Sequence, residues 1–407
     1  MRLNKTYKLT QFVNKPLSTP ARYTLAFLSV IPAILVTGSI AMTRVLVRDF
    51  LHREPKLAFR RAGWLVRQGW LNKTLIDDPF FNFTEDLSQA ELHDIQSFLA
   101  RKKANQPLNQ QISDALFLQA ALIHLKIKAQ IDAPLIEHDI QVFYDTADKL
   151  LAQLDPVSME QPLPQAQNER GDDFDCDNAL TALKDFAATL NPEQFQWYVV
   201  SGTLLGLHRE GAFLKHDYDI DLGIHFQPEV YNQLLSKLKD STFIISKRIS
   251  YIEVSKTSEQ GNYLNELPAI IKLIHPNGIS IDLFIHHQDG NVLWHGSSIH
   301  RWENTFFDLK KVNFLGLDVF IPSNPDQYLT ENYGDWRTPV KTFDCSTGTP
   351  NLTIVKNFLS FALVLKRLAV FNKKDPNHFN KLHATLINQG VITERFNRNM
   401  LNDHNHE

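Results

Sequence analysis

Cysteine is nearly absent from this chain: Cys176 and Cys345 are the only two in 407 residues, and neither sits in a CxxC or CxxH spacing. That speaks against a disulfide scaffold, structural zinc and thiol chemistry. An excess of one charge is also lacking. The formal net charge of -3 gives no chain-wide electrostatic reason to expect nucleic acid as a partner. No fixed repeat period is evident, and no small-residue cleavage site of the signal-peptide type stands out. What is present is ordinary for a folded chain, with 43% hydrophobic and 21% charged residues, and the length points to two domains or one heavily decorated one.

Charge is missing locally from Tyr23 to Thr43, a run bracketed by Arg22 and Arg44 and just long enough to cross a bilayer. Pro32, Gly38 and several Ser/Thr residues weaken its apolarity, so a membrane segment and a buried helix both remain open. The basic residues on the two sides of the run do not resolve its orientation, and the slight excess after it favours a cytoplasmic C-terminal side. From Arg44 to Leu71, Arg alternates with Phe50, Phe59, Trp64 and Trp70, a pattern that suits a headgroup layer or a helix packed on the rest of the fold. The expected organisation is a basic, apolar segment over 1–47 and a helical domain over 48–154, in which Leu92, Ile95, Phe98 and Leu99, then Leu116, Leu118, Ala121, Leu122 and Leu125, recur at helical spacing. A linker over 155–178 follows, rich in Pro and carrying Asp172, Asp173, Asp175 and Asp177, which read as a solvated acidic stretch. A catalytic domain over 179–345 and C-terminal helices over 346–407 complete the chain.

In the C-terminal half, Leu180 to Leu190 reads as a helix, Phe195 to Val200 as a strand, and Thr203 to Arg209 as a helical turn. Asp219 to Phe226 reads as a strand, Pro228 to Leu238 as a helix, and Thr242 to Ile249 and Ala269 to His275 as strands. Asn277-Gly278 then predicts a tight hairpin turn into Ile279–Ile285. The class is α+β: a mixed sheet with flanking helices, preceded by an α-helical N-terminal region.

The chemistry concentrates between Tyr198 and Phe226. A strand ending in Ser201-Gly202 and running into a helix offers backbone N–H groups beside a residue without a Cβ, which suits an anion. Further on, a period of two puts Asp219, Asp221 and Gly223 on one strand face and Ile220, Leu222 and Ile224 on the other. Carboxylates about 7 Å apart repel unless a cation lies between them, and oxygen ligands suit Mg²⁺ or Mn²⁺. Asp282 interrupts the apolar run Ile279–Ile285 and is expected to be a third ligand, because a carboxylate there is costly unless paired. Carboxylates on two strands serve phosphoryl transfer, where metals activate a hydroxyl and stabilise the leaving oxygen.

The segment SGTLLGLHREGAFLKHDYDIDLGI, the strand ISIDLF and the block IPSNPDQYLTENYGDWRTP together resemble the LicD/fukutin family over about a third of the chain. The resemblance implies a nucleotidyltransferase fold and transfer of phosphocholine, a polyol phosphate or a similar group from a CDP-linked donor to a glycan or glycolipid. It implies metal-binding acids at Asp217, Asp219 and Asp221 with Asp282 as the separate carboxylate. The phosphate-approach turn falls at Ser201, Gly202 and Thr203, a pyrophosphate clamp at Arg209, and a downstream element at Tyr333, Gly334 and Asp335. The sequence departs from the family pattern in having Lys215-His216 before the acids and Tyr218 between them, which bears on donor or acceptor preference.

Plainer roles stand beside these. His216 reads as a hydrogen-bonding neighbour or a base, Arg209 as a partner of Glu210, Tyr333 and Trp336 as packing anchors, and Asp335 as a turn residue. His286, His287 and His295 read as loop and hairpin residues, and Ile354 to Phe371 as a core helix whose few charges are Lys356, Lys366 and Arg367. A DxD glycosyltransferase using a nucleotide-sugar and a non-catalytic membrane-associated scaffold are the competing functions. The expected setting is the cytoplasm near a membrane, with a membrane surface contact through the N-terminal region.

Overall fold

The computed structural model describes residues 3–37, 40–52, 58–59, 62, 93–94, 97, 107–131, 133–154, 173–257, 261–297, 299–340, 343, 345 and 349–400. In chain order, the N-terminal helices are α1 (Lys5–Asn14), α2 (Thr19–Thr37), α3 (Ile40–His52), α4 (Leu108–Lys128) and α5 (Ala133–Leu151). Next come α6 (Cys176–Thr189), the short α7 (Pro192–Phe195), β1 (Tyr198–Val199), α8 (Ser201–Glu210), β2 (Asp219–His225) and α9 (Pro228–Lys239). The strands β3 (Ile244–Thr257), β4 (Gly261–Ile274), β5 (Ser280–Asp289), β6 (Val292–Gly296), β7 (His300–Thr305), β8 (Leu309–Phe314) and β9 (Leu317–Pro322) follow. The chain closes with α10 (Pro325–Tyr333), β10 (Leu352–Ile354), α11 (Phe358–Lys374) and α12 (Pro376–Asn388). It divides into one compact unit of residues 1–12, 164–251 and 266–353 and a second of residues 13–163, 252–265 and 354–407.

The first unit is built on the mixed sheet expected of the C-terminal half. Its strand order is β10-β7-β6-β5-β2-β1-β9-β8, with β4 also on β5 and β3 on β4. β2 and β5 run parallel, whereas β1–β2 and β4–β5 are antiparallel. Strand alternation separates the two faces. Ile220, Leu222, Ile224, Ile281, Leu283 and Ile285 join Ile271, Leu273, Phe186, Leu234 and Trp197 in one buried cluster. The opposite side chains of the same strands, Asp219 and Asp221, Asp282, and Lys272, share the other face.

Local chemistry explains where the elements depart from expectation. The strand expected over 195–200 shrinks to two residues, because Asn191 caps a Pro192-initiated turn through the Glu193 N–H and Gln196 turns left-handed at φ 49°. Helix α6 begins earlier than expected, at Cys176, since the Asp175 side chain accepts from Asn178 N–H at 2.9 Å. Asp175 and Asp177 belong to this helix start and are exposed, as the solvated acidic reading expects; Asp172 lies outside the described residues. The β4–β5 hairpin is present, but its loop is Pro276-Asn277-Gly278, not a two-residue turn. His275 N–H donates to Ile279 O at 2.9 Å, and only Gly278, at φ 100°, is left-handed.

In the second unit, α4, α5, α11 and α12 bury Phe117, Ile123, Phe143, Phe361, Leu365 and Leu382 in one cluster. Lys366 is no surface charge of a core helix: it pairs with Asp114 of α4, at side-chain exposures of 3% and 9%. Leu92, Ile95, Phe98, Leu99, Trp64 and Trp70 lie outside the described residues. The charge-free run 23–43 is taken up by α2, which ends at Thr37, and α3, which starts at Ile40. Among the described residues no helix is long and apolar enough to cross a membrane.

Candidate functional site

The site is assembled where the N-terminus of α8 meets β2. Ser201 sits in the left-handed region at φ 48°, an uncommon conformation for a residue with a Cβ, and it turns the chain from β1 straight into the helix. Two bonds then tie that turn to Asp221. Gly202 N–H donates to Asp221 Oδ2 at 2.9 Å, and Asp221 N–H donates to the buried Thr203 Oγ1 at 2.9 Å. The amide expected to face a phosphate is thus engaged by a carboxylate, which the positive end of the helix also favours. A Cβ on Gly202 would lie 2.7 Å from Asp217 Oδ2 and 3.2 Å from Asp221 Oδ2, so glycine is what lets the acids approach the turn.

Asp217, in the loop before β2, joins Asp219 and Asp221, and one carboxylate oxygen from each lies within 4.8 Å of the others. Asp282 does not belong to that triplet, yet it is on the same face, directly across from Asp221 on the parallel neighbour β5. On the far side of Asp282, Lys272 of β4 is its register partner and its ion pair. A row Lys272–Asp282–Asp221 therefore crosses three adjacent strands.

The electrostatics follow from this crowding. Burial raises the Asp221 carboxyl well above its usual range, and the neighbouring Asp219, Asp217 and Asp282 push it further; the Gly202 N–H acts in the other direction. For Lys272, burial disfavours the ammonium, but the attraction and hydrogen bond of Asp282 outweigh it and raise the pKa. Asp217, Asp219 and Asp221 thus form a donor set of hard oxygens that fits a divalent cation, with the Lys272–Asp282 pair on the neighbouring strands.

These groups line a cavity of about 330 Å³ that also takes in Ser201, Gly202, Arg209, His216, Tyr333, Asp335 and Trp336. Arg209 bridges to Glu210 at 2.8 Å and donates to Trp336 O at 3.1 Å, so it both pairs with its neighbour and faces the cavity. Burial raises the Tyr333 hydroxyl well above its ordinary pKa, and its ring packs on Phe343 at 5.0 Å. Asp335, just past the left-handed Gly334 that ends α10, accepts from Thr338 Oγ1 at 2.7 Å. Thr203 is buried beneath the turn and is not among the cavity's lining residues.

The wall also includes polar and aromatic residues that sequence reasoning missed, among them Lys272, His295, Trp302 and Asn332. Lys272 had a signal, since it interrupts an apolar strand as Asp282 does. His286 and His295 sit in the β5–β6 hairpin, as expected, but as buried strand positions and not loop residues, with rings 4.8 Å apart. Burial lowers the His286 pKa well below 6.5 and that of His295 to about 3, so both are neutral imidazoles at physiological pH.

Fold and site define a glycine turn on a mixed sheet with carboxylates on the strand that follows. Residues 194–324 match the family described as LicD/FKTN/FKRP, nucleotidyltransferase domain, and the chain carries a domain of this LicD/fukutin family. It is similar to ribitol-5-phosphate transferase FKTN of Homo sapiens, at 25% identity over 183 residues, covering 43% of this chain and 36% of the relative. The Mus musculus protein of the same name matches at 25% over 182 residues, again 43% and 36%. An uncharacterised protein of Rickettsia prowazekii (strain Madrid E) is 24% identical over 163 residues, covering 38% of this chain and 53% of that protein. The similarity to FKTN thus spans about a third of that relative's length.

Proposed function

We propose that this domain is a metal-dependent transferase that moves a substituted phosphate group, such as a polyol phosphate or phosphocholine, from a CDP-linked donor to a hydroxyl of a glycan or glycolipid. The observation that carries the reading is the triplet Asp217, Asp219 and Asp221 pressed against the Gly202 turn in a cavity. The similarity to a ribitol-5-phosphate transferase supports the class of group transferred.

In this reading Asp217, Asp219 and Asp221 hold Mg²⁺ or Mn²⁺, which would supply charge neutralisation for the donor's phosphates. The acceptor oxygen bonds to the phosphorus carrying the transferred group, the P–O bond to CMP breaks, and the hydroxyl proton passes to a carboxylate. Asp282 fits that last role: it stands outside the triplet, on the same sheet face, with its side chain paired to Lys272. Arg209 is placed to clamp the pyrophosphate, while Tyr333 and Asp335 form the substrate wall beside it.

The test follows CMP release and phosphodiester formation from CDP-ribitol, CDP-glycerol and CDP-choline, together with the melting temperature with and without Mn²⁺. Asp219→Asn and Asp221→Asn are expected to lose both transfer and the Mn²⁺-induced rise. Asp282→Asn is expected to keep the rise and lose about 10²–10⁴-fold in transfer, the usual contribution of a positioned base. Release of a nucleoside diphosphate with a glycoside product, or retention of transfer in Asp219→Asn, overturns the reading.

A further inference from the structure

The described surface is not evenly apolar. Of its 17 exposed large hydrophobic side chains, ten fall within the first 40 residues, and six of these are on α2: Tyr23, Phe27, Leu28, Ile31, Ile34 and Leu35. Their spacing of four, one, three, three and one residues places all six on one side of the helix, a stripe about 140° wide at 100° per residue. Phe27 is 77% exposed and Leu35 74%. The opposite side is already satisfied. Ala26 and Ala33, each 4% exposed, lie in apolar clusters with Phe50 and with Met42, Val45 and Leu46 of α3. The exposed stripe is therefore not the packing face of α2; it is an outer face with no partner among the described residues, and exposed apolar patches of this kind mark interaction surfaces.

Charge identifies the partner. Residues 1–48 contain seven Lys and Arg (Arg2, Lys5, Lys8, Lys15, Arg22, Arg44, Arg48) and no Asp or Glu, in a chain whose overall net charge is -3. The apolar stripe thus lies in the one long acid-free stretch at the start of the chain. No described helix is long and apolar enough to cross a bilayer. Aromatic and aliphatic side chains on one helix face, with Lys15, Arg22, Arg44 and Arg48 flanking them in sequence and no acid between, are the physical requirements for lying in the headgroup layer of an anionic membrane.

We propose that α2 is a membrane-surface anchor, seated with Tyr23, Phe27, Leu28, Ile31, Ile34 and Leu35 in the interface of a bilayer containing anionic lipid. This inference stands apart from the proposed chemistry, since it uses none of the cavity residues. A second copy of the chain is the competing occupant of the stripe, and the experiment separates the two. The full chain is spun with vesicles of phosphatidylcholine plus phosphatidylglycerol and with vesicles of phosphatidylcholine alone, at low and high salt, and its oligomeric state is measured by light scattering. The wild type is expected to sediment with the mixed vesicles, more weakly with phosphatidylcholine alone, and less as salt rises. The double variant Phe27→Gln/Ile31→Gln is expected to partition about tenfold less or weaker still, with the wild-type melting temperature, because both side chains are exposed and the fold does not use them. Failure of the wild type to bind either vesicle overturns the proposal, as does undiminished binding by the variant. So does a wild-type dimer that the variant dissociates.

Discussion

The Gly202 amide donates to Asp221 Oδ2 at 2.9 Å, while a Cβ at Gly202 would stand 2.7 Å from the Asp217 carboxylate. One glycine therefore both holds one acid and leaves room for another. Gly202 does not have a positive φ, so Gly202→Ala meets no backbone strain, and the atom it strikes is the mobile end of Asp217. The expected result is a melting temperature close to wild type in the absence of metal, because Asp217 swings away. The Mn²⁺-induced rise shrinks, and transfer falls about 10²-fold, the scale of an ångström-sized misplacement at a reacting centre. Unchanged Mn²⁺ stabilisation in this variant would show that the triplet does not need the close approach.

Lys272 of β4 pairs with Asp282 of β5, which stands in register with Asp221 of β2. Lys272→Met leaves Asp282 beside Asp221 with no ammonium to offset it. The pair is partly open, with Lys272 at 37% and Asp282 at 10% side-chain exposure, so the loss of stability is set nearer about 1–2 kcal/mol than the larger cost of a fully buried pair. The variant should melt lower than wild type without metal and gain more on adding Mn²⁺. Differential scanning calorimetry at two Mn²⁺ concentrations reads both, and equal gains in the two proteins would dissociate Lys272 from the cation site.

How far this arrangement was legible depends on whether neighbours in space were neighbours in pattern. The strand Asp219–His225 was readable because Ile220, Leu222 and Ile224 alternate with polar positions, and the same alternation singled out Asp282. The hairpin would have placed Lys272 opposite Asp282 had its pairing been followed outward, since His275 faces Ile279 across the loop. The parallel register of Asp221 with Asp282 was not legible, because no local turn fixes the offset of two strands joined through other elements. Nor was the cavity wall: His295 stacks on Trp302 at 5.3 Å, and Arg209 reaches Trp336 O, contacts set by tertiary packing alone. The charge-free run 23–43 looked continuous in sequence, whereas it is divided between two helices, the first of which packs through Ala26 and Ala33.

In the second unit, Lys366 and Asp114 join α11 to α4 as a buried ion pair. Lys366→Met strands a carboxylate among apolar side chains, and the expected loss is about 3–5 kcal/mol, the cost of removing one partner of such a pair. Lys366→Met/Asp114→Leu removes both charges and should recover most of that loss, because the desolvation of the ions disappears with them. Urea unfolding of the two variants and of wild type measures the difference. A double variant as unstable as the single one would show that the pair is replaced by a cavity and not by a satisfied apolar contact.

The buried imidazoles make stability depend on acidity. In the unfolded chain His286 and His295 take up protons near 6.5, whereas in the fold burial keeps His286 neutral well below that value and His295 neutral down to about 3. The unfolded state then binds more protons than the native state in that window, so stability falls as the pH drops from 6.5 toward 3. Each group contributes about 1.4 kcal/mol per pH unit across its window. Asp221 acts with the opposite sign: its raised carboxyl favours the fold below 3.8, and that contribution is lost as pH rises through the folded value. The two slopes oppose one another above 3.8, so the histidine contribution is read by comparison. His286→Phe/His295→Phe keeps aromatic rings in the layer and removes both protonation sites. Its urea midpoint should fall less than that of wild type on acidification from 6.5 to about 5, whatever the absolute stability of the variant. Parallel pH profiles for the two proteins would mean that these imidazoles are not what makes the fold acid-sensitive.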